Sequence, residues 1–152
     1  MAKFKGYVLQ HGTSPINGCP FVVIMTMDSG NTKTGNMCQV WILTENIHPV
    51  DAVNLGADDT VCGDCPHRKQ SDGSRSCYVN VGQAPAAVWK SYKRGIYGKL
   101  SDLDLAVIED RKIRWGAYGD PAMIDSTLVT ILNERAAGHT GYTHQWSQPW
   151  AQ

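Results

Sequence analysis

The sequence predicts a small α/β domain: an N-terminal β-meander, a metal knuckle, and a β-α-β unit, together forming a small mixed, half-barrel-like sheet. Three observations lead there. Short apolar runs rich in β-branched residues occupy the first 47 positions. Three cysteines, Cys62, Cys65 and Cys77, cluster in a stretch too polar to be core. Beyond residue 84 helical and strand-like patterns alternate, the order of strands joined by crossover helices.

At 152 residues the chain fits one domain (1–152), with a β-rich part over 1–47, the cysteine knuckle over 61–79 and an α/β part over 84–146. Its formal net charge of zero provides no global field toward nucleic acid or an anionic membrane. The apolar runs, such as residues 21–25, are far too short for a membrane span. The first residues lack the apolar core of a signal peptide, and five cysteines then imply reduced thiols in a cytoplasm.

In chain order, residues 4–10 read as a first strand, and 11–18 as a turn region with Asn17-Gly18 as a hairpin signal. Residues 21–27 form a β-branched apolar strand expected to be buried on both faces. After a loop over 28–36 comes a third strand, 38–44, completing the meander. Cys19 and Cys38 begin apolar strands and are expected to be buried as small hydrophobes. A short helix is expected over 48–56, with Pro49 in its first position and Gly56 as its stop, which leaves His48 as a capping or surface residue.

Past the cysteines, residues 84–97 have helical spacing. Ala87, Val88, Tyr92 and Ile96 form the apolar face, Gly95 weakens the last turn and Gly98 follows the end. Residues 101–109 read as a second short helix capped by Ser101. The alternating stretch 112–118 is a strand that runs into the turn Gly119-Asp120-Pro121. Asp125 or Ser126 caps a helix buried through Leu128, Ile131, Leu132 and Ala136 and stopped by Gly138, and 139–146 is the final, parallel strand.

The knuckle carries the clearest chemistry. Cys62 and Cys65 form C-x-x-C, and the intervening glycine with the following Pro66 lets both thiolates turn onto one centre. Cys77 closes back across a polar loop. Tetrahedral zinc needs a fourth ligand, for which His67 is nearest; a [4Fe-4S] cluster on three cysteines keeps one iron open to a small molecule. Spacing leaves both metals open, and the plainer alternative is a reduced, metal-free loop.

Carboxyl ends of parallel strands are where open α/β sheets bind ligands. Tyr118, Gly119, Asp120 and His144 are therefore candidates for holding a polar ligand near the metal, against the plainer role of Asp120 as a turn residue. Between residues 65 and 100 seven basic side chains face one acid, Asp72. Lys90, Lys93 and Arg94, with Trp146 and Trp150 near the C-terminus, are candidate partner-binding residues; the plainer reading of the charges is a solvated face.

The order of these features resembles the opening half of a radical S-adenosylmethionine barrel, in which three cysteines after the first strand hold a [4Fe-4S] cluster. The segment Gly116-Ala117-Tyr118-Gly119-Asp120-Pro121 resembles the stretch that meets the amino group of S-adenosylmethionine, with Asp120 in the acidic position. The cysteine gaps, two and eleven residues, differ from those enzymes. More closely, NTKTGNM (31–37), CGDCPHR (62–68), SCYV (76–79), RWGAYGDPA (114–122) and GHTGYTHQW (138–146) resemble a protein family found mainly in bacteriophages, which carries no established activity. The resemblance implies a phage protein in the host cytoplasm; with the cysteine pattern, the favoured reading is an accessory protein that binds zinc or an iron–sulfur cluster and docks on a protein partner. Alternatives are a radical S-adenosylmethionine-like enzyme and, below it, a nucleic-acid binder using the basic 68–99 stretch. An exposed sheet edge makes self-association a further expectation.

Overall fold

A computed structural model describes residues 6–14, 18–27, 38–55, 84–100, 108–109, 111–119 and 123–140. Among them six strands form one mixed sheet covered by helices, as the sequence predicts for a small α/β fold. The strands are β1 (Gly6–Thr13), β2 (Pro20–Thr26), β3 (Cys38–Thr44), β4 (Gly98–Lys99), β5 (Lys112–Tyr118) and β6 (Gly138–Thr140). The helices are α1 (Pro49–Leu55), α2 (Ala84–Lys93) and α3 (Ser126–Arg135).

Their order across the sheet is β4-β1-β2-β3-β5-β6. The predicted meander is present: β1 pairs with β2, and β2 with β3, both antiparallel. β1–β4, β3–β5 and β5–β6 are parallel, so β2 alone runs against the other five strands. The carboxyl ends of β1, β3 and β5 consequently share one edge. The hairpin between β1 and β2 closes with Ser14 N–H donating to Cys19 O (2.9 Å) and Gly18 N–H to Ser14 O (3.0 Å). Strand pairing extends β1 to Thr13, consuming residues 11–13 that the sequence assigned to the turn.

β2 and β3 lie at the centre and are buried on both faces, which is why they read as mostly apolar runs, with Gln39 and Thr44 buried among them. One core joins the N- and C-terminal parts of the chain, from Tyr7 through Ile24, Met25, Ile42 and Ile113 to Leu132. Cys38 is buried as expected, whereas Cys19, in the hairpin before β2, is only half-buried.

The two longer helices take opposite faces. Tyr92 of α2 lies against His11, whose side of the sheet also carries Val8 and Trp41. α3 lies over the other side, where Trp115 Nε1–H donates to Asn133 Oδ1 (2.7 Å) and the Asp125 N–H donates to Gln10 Oε1 (2.8 Å). α1 begins at Pro49 as predicted, and His48 caps it, its Nδ1 accepting from Val50 N–H (3.1 Å).

Several expected boundaries shift. α2 ends at Lys93, because Gly95 adopts φ +72° and closes the helix: Gly95 N–H donates to Tyr92 O and Ile96 N–H to Ser91 O, a Schellman pair. Ile96 thus lies outside the helix and is exposed, while Gly98, expected as the stop, opens the unforeseen strand β4. Ala87 is exposed because it falls on the far side of α2 from Val88 and Tyr92. In α3 the cap is Asp125, accepting from Thr127 N–H (2.8 Å). Ile131 is exposed, about a third of a turn from the packed residues Leu128, Val129, Leu132 and Ala136. Extended backbone at Ala136, not a glycine stop, ends this helix, and Gly138 already belongs to β6. Among the described residues no helix is long and apolar enough to cross a membrane.

Candidate functional site

The connections that leave β3 and β5 diverge. From β3 the chain passes through α1 and α2 to β4, beyond β1; from β5 it passes through α3, on the opposite face, to the adjacent β6. In open α/β sheets, adjacent strands whose connections part in this way leave a crevice outside their carboxyl ends, the usual ligand site. Here those ends are Thr44-Glu45 and Tyr118-Gly119.

Glu45 is the hub on the β3 side. Its backbone N–H donates to Pro20 O (3.2 Å), which fixes it at the start of β2. Its Oε1 accepts from the Tyr92 hydroxyl and bonds His11 Nδ1, both at 2.8 Å. Burial alone raises the pKa of this carboxyl; the hydrogen bonds from Tyr92 and His11, with the charges of His11 and Lys93, outweigh it and hold the group below its usual 4.5. Conversely, burial and then the bond to, and charge of, Glu45 push the Tyr92 phenol up to about 12. An ionised carboxylate only accepts hydrogen bonds, so Nδ1 of His11 carries the hydrogen of their bond.

An aromatic and cationic layer surrounds this hub. Trp89 Nε1–H donates to Thr44 O (3.0 Å), and His48 meets the Trp89 ring edge-on at 5.2 Å. Lys93 Nζ lies 5.5 Å from the centre of the Trp89 ring and 5.7 Å from that of Tyr92, and donates to Asn46 Oδ1 at 3.5 Å. Lys90, Lys93 and Arg94 are all exposed, and their spacing puts them on one side of the end of α2. The predicted basic stripe is therefore a surface feature, with Lys93 tied into the Glu45 cluster.

On the β5 side, Tyr118 is 5% exposed and belongs to the core beside Trp41, so its ring is a packing residue. Gly119 adopts φ +84°, and a Cβ there would come within 2.6 Å of Ile42 Cβ and 2.7 Å of Ile42 O. Its requirement for glycine is thus set by the fold. Asp120, His144, Trp146 and Trp150 lie outside the described residues, as do Cys62, Cys65, His67 and Cys77. Among the described residues no three His, Cys, Asp or Glu side chains converge on a metal position. By donor chemistry three thiolates and one imidazole suit tetrahedral zinc, and three thiolates suit an iron–sulfur cluster with an open iron.

Glu45, His11 and Tyr92 were not among the candidate site residues, and Tyr92 was read only as part of a helix's apolar face. They are 34 and 47 positions apart, on β1, after β3 and on α2, and no short motif links them. The pairing of β1 with β2 and β2 with β3 brings His11 to Glu45, and the crossover through α2 brings Tyr92. The chain matches no protein-family model, no curated protein and no solved structure.

Proposed function

We propose that this chain is a metal-binding accessory protein, phage-encoded and acting in the host cytoplasm, that docks on a protein partner. The observation that carries it is the cysteine pattern: Cys62, Cys65 and Cys77 supply thiolates and His67 a fourth donor, in a segment joining two helices, α1 and α2, that pack on one another. The exposed cations Lys90 and Lys93 on the second of those helices, with Arg94 just past its end, offer a contact surface for an acidic partner, with Trp146 and Trp150 as aromatic anchors.

Elemental analysis of protein purified under anaerobic conditions tests this. The expected result is about one zinc per chain, lost together with thermal stability in Cys62→Ala and Cys77→Ala. Wild-type protein that folds without metal and melts unchanged in the presence of a chelator would remove the reading.

A second reading, an iron–sulfur enzyme of radical S-adenosylmethionine type, draws on a specific feature. β3, β5 and β6 are neighbours, parallel and in chain order, and the cysteine segment follows the first of them. In this reading Asp120 contacts the cofactor amine. The placement of α2 and α3 on opposite faces ranks it second, since the helices of a barrel all cover its outside. Brown protein with about four irons per chain and retention of S-adenosylmethionine would reverse the order.

A further inference from the structure

β4 is two residues long and pairs with β1 only at Tyr7 and Val8, whereas β1 runs on to Thr13. Past Val8, β1 therefore has no strand on that side among the described residues. The turn at Gly95 carries the chain across the gap, leaving a cleft of about 490 Å³ lined by Val8, Leu9, His11, Tyr92, Tyr97 and Lys99, with Gln10 and two glycines. This volume lies in the range of small-molecule sites. Most of the lining is apolar or aromatic, and the Glu45 cluster opens directly onto it through His11 and Tyr92.

The polar element in this lining is directional. Because Glu45 takes the hydrogen on Nδ1 of His11, the other nitrogen, Nε2, is a hydrogen-bond acceptor whenever the imidazole is neutral. The ring is 59% exposed and stands at 51° to Tyr92 with centroids 6.2 Å apart. Glu45 also ties down the Tyr92 hydroxyl, so both groups are fixed before any ligand arrives.

We propose that this cleft is a binding site for a small aromatic molecule bearing a hydroxyl or ring N–H, with His11 Nε2 accepting that hydrogen while Val8, Leu9 and the tyrosine rings cover the apolar body. Aromatic rings suit a lining of tyrosine and histidine, and an acceptor held in place favours a donor. None of its lining residues is one of the candidate metal ligands.

Titration of the full chain with phenol and with anisole, followed by NMR of the histidine side chains, tests this. Anisole has the same ring but no donor. Phenol should perturb the His11 resonances and bind about three- to tenfold more tightly than anisole, the worth of one hydrogen bond. His11→Phe keeps a ring, removes the acceptor and should bind both probes equally. Glu45→Gln, which no longer dictates the tautomer, should lose part of the preference while its melting profile reports that the fold persists. Equal affinity of the two probes in the wild type, a silent His11, or a preference retained in His11→Phe would each overturn the proposal.

Discussion

Replacing Gly119 by alanine separates two costs that the structure stacks at one position. The backbone at φ +84° lies in the left-handed region, where a Cβ costs roughly 1–2 kcal/mol. The same Cβ would also stand 2.6 Å from Ile42 Cβ and 2.7 Å from Ile42 O, so β3 and β5 would have to move apart. Overpacking of this kind costs about 1–3 kcal/mol. Gly119→Ala should therefore destabilise the protein by about 2–5 kcal/mol, and each kcal/mol should lower the melting temperature by about 2–4 °C in a domain of this size.

Gly95 supplies the control. It has nearly the same dihedral, φ +72°, but nothing lies within 4 Å of a Cβ built there, so Gly95→Ala should cost only the conformational part, roughly 1–2 kcal/mol. Urea unfolding of the two variants, with equal m-values, gives the difference directly. If Gly119→Ala is no worse than Gly95→Ala, then β3 and β5 are not in the close contact described, and the crevice at their ends has another shape.

Asp125→Ala removes the cap of α3, whose carboxylate accepts from Thr127 N–H at 2.8 Å, and should cost about 1 kcal/mol by urea unfolding. Ile24→Ala empties a fully buried position in the central strand and should cost about 2–5 kcal/mol, the upper part of that range if the site cannot collapse. Tyr92, with its pKa raised to about 12, binds its proton more tightly folded than unfolded. The stability this lends is present below pH 10 and is lost as pH rises through 12, so Tyr92→Phe should flatten the alkaline limb of a plot of stability against pH.

The strands most legible in the sequence were those whose burial leaves one solution. β3 and β5 were bounded correctly because a mostly apolar run of strand length (Cys38–Thr44) and an alternation (Lys112–Tyr118) each match one strand pattern. β4 was invisible, because two residues have no period and Gly98 looks like punctuation. The end of α2 was misplaced for a related reason: Gly95 and Gly98 both offer a stop, and only the Schellman hydrogen bonds distinguish them. Motif spacing pointed to the cysteines and to Gly119-Asp120, which are close in sequence. It could not point to Glu45, whose partners arrive through a hairpin and a crossover.

The topology gives the two ends of the molecule unequal chemical opportunity. β2 is the one reversed strand among the six described, so it brings its amino end, with Cys19 and Pro20, to the edge where β1, β3 and β5 finish. That edge gathers the hairpin, Glu45 and Gly119. Close contact of Gly119 with Ile42 keeps β3 and β5 from splaying, so a ligand at this edge is accommodated beside the strands rather than between them. The shortness of β4 provides that space beside β1, and Glu45 orients His11 toward it. Binding surface here arises from a strand that stops early, and its polarity from one carboxylate that fixes two neighbours at once.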